Sequence, residues 1–173
     1  MINILLGLIK PQEGKILIDN KDIHEDIKSW QKNISYVAQK TFIFDDTIKN
    51  NIIFGKKYDQ IKFDNVIKMS CLENLIKNLE GREDTKLGDK GAKLSGGEIQ
   101  RIGIARALYN NTEFLIFDEA TSSLDKNTEF EVINNIHKLD YKIFILVTHS
   151  LRSLDRFNNI YKLENGKLHS IKN

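Results

Sequence analysis

One cysteine and one proline stand in 173 residues. With Cys71 alone, no disulfide can close within the chain, and a reducing compartment is the expected setting. Its apolar neighbours favour a buried structural thiol over a nucleophile. Pro11, being alone, excludes a proline-rich linker. Charge of one sign is lacking too. Lys+Arg number 26 and Asp+Glu 24, so the formal net charge is +2. That balance gives no electrostatic reason to expect a nucleic-acid partner. No apolar run is long enough to cross a bilayer. The opening "MINILLGLI" lacks the basic start and small-residue cleavage site of a secretory signal. It reads as an apolar helix end. No repeat or low-complexity segment is present. What remains is 40% hydrophobic and 29% charged, the composition of one globular domain with a real core.

A second absence is more pointed. The stretch "GDKGAKLSGGEIQRIGIARAL", Gly88 to Leu108, runs a Ser-Gly-Gly turn straight into a helix. Such a turn presents free backbone N–H groups to an anion. A nucleotide-binding chain is also expected to carry G-x-x-x-x-G-K-[ST]. The three Gly-Lys pairs, Gly14-Lys15, Gly55-Lys56 and Gly166-Lys167, are followed by Ile16, Lys57 and Leu168. The phosphate-binding lysine loop is therefore absent from these residues.

Periodicity supplies the frame. Ile4 to Ile9 predict a buried helix end, stopped by Pro11 and Gly14. "KILID" (15–19) and "ISYVA" (34–38) read as strands, with a short helix at "DIKSWQKN" between them. Residues 41–110 are mostly helical in pattern, with a polar loop at 80–86. "FLIF" (114–117) and "IFILV" (143–147) are continuous apolar runs, which suit strands buried on both faces of a parallel sheet. The helix between them carries Phe130, Ile133 and Ile136 and makes a β-α-β unit. Asn165-Gly166 predicts a hairpin with a type I′ turn. The fold class is α/β: a core at 1–40 and 111–173, interrupted by a helical subdomain at 41–110.

Several residues carry chemistry. Asp118 and Glu119 end an apolar strand, where ligands of parallel sheets bind. An aspartate there can hold Mg²⁺ through waters, and the adjacent glutamate can orient or deprotonate a water. The plainer reading is an acidic helix start. Ser95 can cap the following helix, and Gly96 and Gly97 let a ligand approach the backbone. The plainer reading is a capped helix with a glycine hinge. That helix is apolar almost all round and hence buried, with Arg101 and Arg106 as polar exceptions. His149 and Gln39 each follow a strand at the same sheet edge as Asp118. Asp125 reads as a helix cap.

Taken in order, Gln39, "LSGGE", "FLIFDE", "SSLD" and "TH" resemble the ATP-binding cassette (ABC) family, across essentially the whole chain. The resemblance implies a P-loop NTPase-like (RecA-like) core that lacks its first strands and P-loop. It makes Gln39 the Q-loop glutamine, with Asp118 a ligand of Mg²⁺. Leu94, Ser95, Gly96, Gly97 and Glu98 become the signature loop. Asp118 ends Walker B, Glu119 is the catalytic base, Asp125 belongs to the D-loop and His149 is the switch histidine. "GDKGAK" is similar to the X-loop of exporters, and "YVAQKTFIFDDTIKNNIIFG" to their Q-loop region, with Ala38 where proline is frequent.

In this family ATP lies between two cassettes set head to tail, so a signature needs no lysine of its own. The resemblance implies ATP and Mg²⁺ as cofactors. It implies a second cassette and a transmembrane domain as partners, no nucleic acid, and a place on the cytoplasmic face of the cell membrane. "INILLGLIKPQEG" is similar to the helix after a P-loop, so the missing motif is expected just before Met1, in a longer half-transporter. The expected function is the ATPase module of an exporter, with negligible hydrolysis by this chain alone. The alternatives are a non-catalytic cassette completing a site in trans, and a soluble ABC ATPase of DNA maintenance or translation. No long coiled coil separates Gln39 from the signature, which disfavours the last. Asp118, Glu119, His149 and Gln39 are expected to cluster, with Ser95 starting a helix well away from them.

Overall fold

A computed structural model describes residues 1–139, 141, 143–150 and 153–172. Asn173, the last residue of the expected core, lies outside them.

The chain opens with a four-residue helix, α1 (Ile2–Leu5). It is shorter than expected, and Gly7 rather than Pro11 stops it. Gly7 holds φ +68°, and a methyl group there would overlap Ile27. Beyond it Leu8 and Ile9 are exposed, so the expected buried helix end stops at Leu6. The expected strand at 15–19 is also reduced. Only β1 (Leu17–Ile18) pairs, antiparallel to β2 (Lys21–Asp22). Asp19 and Asn20 both take positive φ between them, the backbone of a tight hairpin turn.

Helix α2 (Ile27–Lys32) is capped by Asp26, whose carboxylate accepts the Ser29 N–H. Its Trp30 indole N–H donates to the Leu5 carbonyl at 2.8 Å, tying α1 down. Strand β3 (Ile34–Val37) follows. Four helices come next: α3 (Ile48–Ile53), α4 (Gln60–Met69), α5 (Glu73–Asn78) and α6 (Gly96–Asn110). Then come β4 (Phe114–Asp118), α7 (Lys126–His137), β5 (Ile143–Val147) and the hairpin of β6 (Ile160–Glu164) and β7 (Lys167–Lys172).

β3, β4 and β5 form one parallel sheet in that order. Successive side chains of β4 alternate between faces. Phe114 and Ile116 meet Leu6, Ile34 and Trp30 on one side. Leu115 and Phe117 meet a larger core that includes Ile102, Ile104, Ala105, Leu108, Val132 and Ile136. This second core joins α6 and α7 to the sheet. It also takes in Ile48, Ile52, Phe63, Val66 and Leu72 from the intervening helices. Phe130 is 53% exposed, under the Arg156 guanidinium. The residues α7 buries are Glu129, Val132, Ile133 and Ile136, which leaves Phe130 on its outer side.

Gly103 shows how close the packing is. A methyl group on it would overlap the Thr41 side chain, so α6 passes the segment after β3 with no room for a larger residue. The hairpin turns at Asn165 and Gly166, both of positive φ as expected, and its two strands are largely exposed. Among the described residues, no helix is long and apolar enough to cross a membrane.

Candidate functional site

Parallel strands end together, and these end in polar groups. Asp118 closes β4 opposite Val147 of β5, and the Glu119 N–H still donates to the Val147 carbonyl at 2.9 Å. At Glu119 the chain turns over, with φ +50°. That reversal swings its carboxylate between the ends of the two flanking strands. The Gln39 amide donates to Glu119 Oε2 at 2.6 Å, and His149 Nε2 lies 2.7 Å from Oε1. Both oxygens of one carboxylate are thus engaged, one from each side. The Glu119 side chain is 22% exposed and that of His149 is 91% exposed. A cavity of about 530 Å³ opens beside them, lined in part by Thr121, Ser122, Glu129 and Thr148. A carboxylate held this way can accept a proton from a water placed in that cavity.

Asp118 is bonded separately. The Tyr36 hydroxyl donates to its Oδ2 at 3.0 Å. Tyr36 pairs with Ile116 across β3 and β4, two residues before Asp118, so both side chains stand on one face. Burial first, then the Asp118 bond and charge, push the Tyr36 phenol up to about 12. Asp118 and the Gln39 side-chain carbonyl offer oxygen donors, which suit a hard cation. Among the described residues no group of three or more His, Cys, Asp or Glu could hold a metal. Two protein oxygens match Mg²⁺, which keeps several waters and takes the rest of its shell from phosphate. The residues fit that ion.

The Ser95 turn is built differently. Ser95 caps α6 in a capping box: the Glu98 N–H donates to Ser95 Oγ at 3.3 Å, and Glu98 Oε2 accepts from the Ser95 N–H at 2.7 Å. The Ser95 hydroxyl also donates to that oxygen at 2.8 Å. Leu94 packs against the larger core. Gly96 and Gly97 lie against Ser123, and a Cβ on Gly97 would sit 3.0 Å from the Ser123 carbonyl oxygen. Asp125 caps α7 and accepts from Asn127 and Thr128, whose hydrogen bonds hold its carboxyl below the usual range.

The four strand-end residues therefore come together, and the Ser95 side chain, among the described residues, bonds within its own cap. The two groups are nevertheless linked through a third residue. Gln100, one turn into α6, reaches the Glu119 carbonyl at 3.5 Å and the Ser122 hydroxyl at 3.1 Å, and accepts the Ser123 N–H at 2.8 Å. Sequence reasoning passed over Gln100. Its signal was a polar residue inside an otherwise apolar stretch. Tyr36 was passed over as well, since a tyrosine in a strand reads as packing. Arg106, noted only as a polar exception, donates to the Asn51 and Phe42 carbonyls. Cys71 is half-buried rather than buried. Its thiol lies 3.6 Å from a Glu131 oxygen, and burial followed by that carboxylate pushes it up to about 11.

With this geometry in hand, comparison with known proteins is informative. The family described as ABC transporter matches residues 1–122. The multidrug resistance-like ATP-binding protein MdlA of Buchnera aphidicola is 40% identical over 175 residues, covering 96% of this chain and 30% of that protein. The ATP-dependent lipid A-core flippase 1 of Colwellia psychrerythraea is 35% identical, covering 96% of this chain and 28% of its own length. A bacterial Atm1-family ABC exporter with ATP bound superposes with a TM-score of 0.91 at 34% identity, over 97% of this chain and 30% of that one. The chain thus spans about 30% of the length of the relatives it matches. The α/β fold with its parallel sheet is that of a P-loop NTPase-like core. By sequence and by fold, the chain belongs to the ABC transporter family, as an exporter-type nucleotide-binding domain.

Proposed function

We propose that this chain is an ATP-binding and ATP-hydrolysing part of a membrane exporter, acting head to tail with a second cassette at the cytoplasmic face. The observation that carries the proposal is the Glu119 carboxylate gripped by Gln39 and His149 at the sheet edge. Glu119 would orient and deprotonate the attacking water, and His149 would hold its orientation. Asp118 and Gln39 would hold Mg²⁺, which when bound offsets the charge on the phosphates. Leu94 to Glu98 would close on the nucleotide of the partner cassette, through Ser95 and the first N–H groups of α6. Asp125 would lie at the junction of the two.

In this reading residues 1–40 and 111–173 form the α/β core and 41–110 the helical subdomain. The transmembrane domain docks where Phe42, Phe44 and Phe54 stand exposed. Arg106 stacks there over Phe44 and Phe54, 5.5 and 5.2 Å from the ring centres. Gly91, in the stretch similar to an X-loop, packs on Ile43 beside them.

The 173 residues carry no G-x-x-x-x-G-K-[ST]. Without its cradle of N–H groups and its lysine, the β- and γ-phosphates have no seat. This polypeptide alone is therefore expected to hydrolyse ATP negligibly. Paired with an intact exporter cassette, it should still complete the partner's site. The test is the partner's ATPase rate, under conditions where the partner alone is slow. Ser95→Arg should abolish the stimulation by filling the slot the phosphate needs. Glu119→Gln should leave most of it. Equal damage from both would mean that this chain seats ATP itself.

A further inference from the structure

Gln100 is a buried polar side chain, 4% exposed, and every group on its amide is used. Its NH₂ donates to Ser122 Oγ at 3.1 Å and to the Glu119 carbonyl at 3.5 Å. Its carbonyl oxygen accepts the Ser123 N–H at 2.8 Å. A buried amide satisfied on both ends is rigid, because releasing either bond leaves a desolvated polar atom. The same junction is closed a second way. Gly97 lies so close to the Ser123 carbonyl that even a methyl group is tight. The first turn of α6 and the loop leaving Glu119 therefore touch through two independent contacts, one polar and one steric.

We propose that Gln100 is a positioning residue that binds the Ser95 turn to the Glu119–Leu124 segment, so that displacement at either end is passed to the other. This rests on the functional reading above, in which the two ends serve different nucleotides. Ser95 faces one nucleotide site of the paired cassettes and Glu119 the other. The link would then make one chain report the state of one nucleotide site to the other. It runs through side-chain amide bonds rather than through the helical body.

Hydrogen exchange on the 173-residue chain tests this without nucleotide or partner. Ser95→Ala removes the cap and should speed exchange of amides 98 and 99 about fivefold. With Gln100 in place, amides 122–124 should speed up as well. Gln100→Met keeps length and helix propensity and loses the link. Ser122 and Ser123 are exposed, so water can take up the freed groups. In that background Ser95→Ala should act at 98 and 99 alone. Gln100→Glu keeps the acceptor for the Ser123 N–H and can accept from the Ser122 hydroxyl, but it loses the donor to the Glu119 carbonyl, and should restore the transmission in part. Unchanged exchange at 122–124 in the Ser95→Ala single variant overturns the proposal, even if Gln100→Met does not fold. Equal transmission in the Gln100→Met background also overturns it. Failure of the trans ATPase test would sink the functional reading and leave this coupling standing, and the reverse holds.

Discussion

Strands β4 and β5 are nearly interchangeable as text, "FLIF" against "IFILV", yet they have different surroundings. In β4, Phe114 to Phe117 are 0–7% exposed. In β5, Ile143 is 41% exposed and the rest are half-buried. β4 has a hydrogen-bonded neighbour on each side, and among the described residues β5 pairs with β4 alone. The outer part of β5 is covered by rings, with Phe144 lying 5.8 Å from His137 and 5.4 Å from Phe157. The inequality reaches the site. Glu119 leaves a clamped strand, whereas His149 leaves a partly covered one and is far more exposed. The carboxylate is the enclosed member of the pair, and the imidazole is the exposed one.

The sharpest way to break this comparison is with the same substitution in each strand. Leu115→Ala should cost about 2–5 kcal/mol, since Leu115 is fully buried and its loss leaves a cavity. Leu146→Ala should cost roughly 1 kcal/mol, because a half-exposed side chain has removed only part of its area from water. Urea unfolding of the two variants measures both, and equal losses would erase the distinction.

Acid should then weaken the β5 side selectively. Burial, with help from Arg156, lowers the His137 pKa below its usual value. The folded state therefore binds this proton less readily than the unfolded chain. The stability involved is present above the unfolded pKa of about 6.5 and is lost as pH falls through the folded one. His137→Gln should flatten the acid limb of the stability curve.

Alkali should act on the β3 side. Tyr36 titrates near 12 in the folded chain, so its contribution is complete below about 10 and fades as pH rises through 12. Asp118→Asn should bring tyrosinate absorbance in at lower pH, leaving burial as the remaining cause of the raised pKa.

These differences mark what the sequence could and could not reveal. The parallel strands and the residues at their ends were legible because unbroken apolar runs followed by polar groups have few other readings. The Ser95 cap and the Asn165-Gly166 turn were legible for the same local reason. The exposure of β5 was not, since it depends on where a strand sits in the sheet rather than on its composition. Leu8 and Ile9 misled because the pattern continues past Gly7 while the backbone does not. Phe130, Ile133 and Ile136 share a helical spacing that does not say which of them faces the core, and Phe130 does not. Gln100 carried only a faint signal, one polar residue in an apolar stretch, because its partners lie in a distant loop.

The left-handed backbone at Glu119 has a consequence for how such a chain would fare in the laboratory. A residue with a Cβ is disfavoured there by roughly 1–2 kcal/mol, and glycine is not. The position that carries the proposed base is thus one where the fold alone would prefer a residue with no side chain. A mutant library screened only for heat resistance should accumulate glycine or asparagine at 119, and its sturdiest members should lack the proposed base.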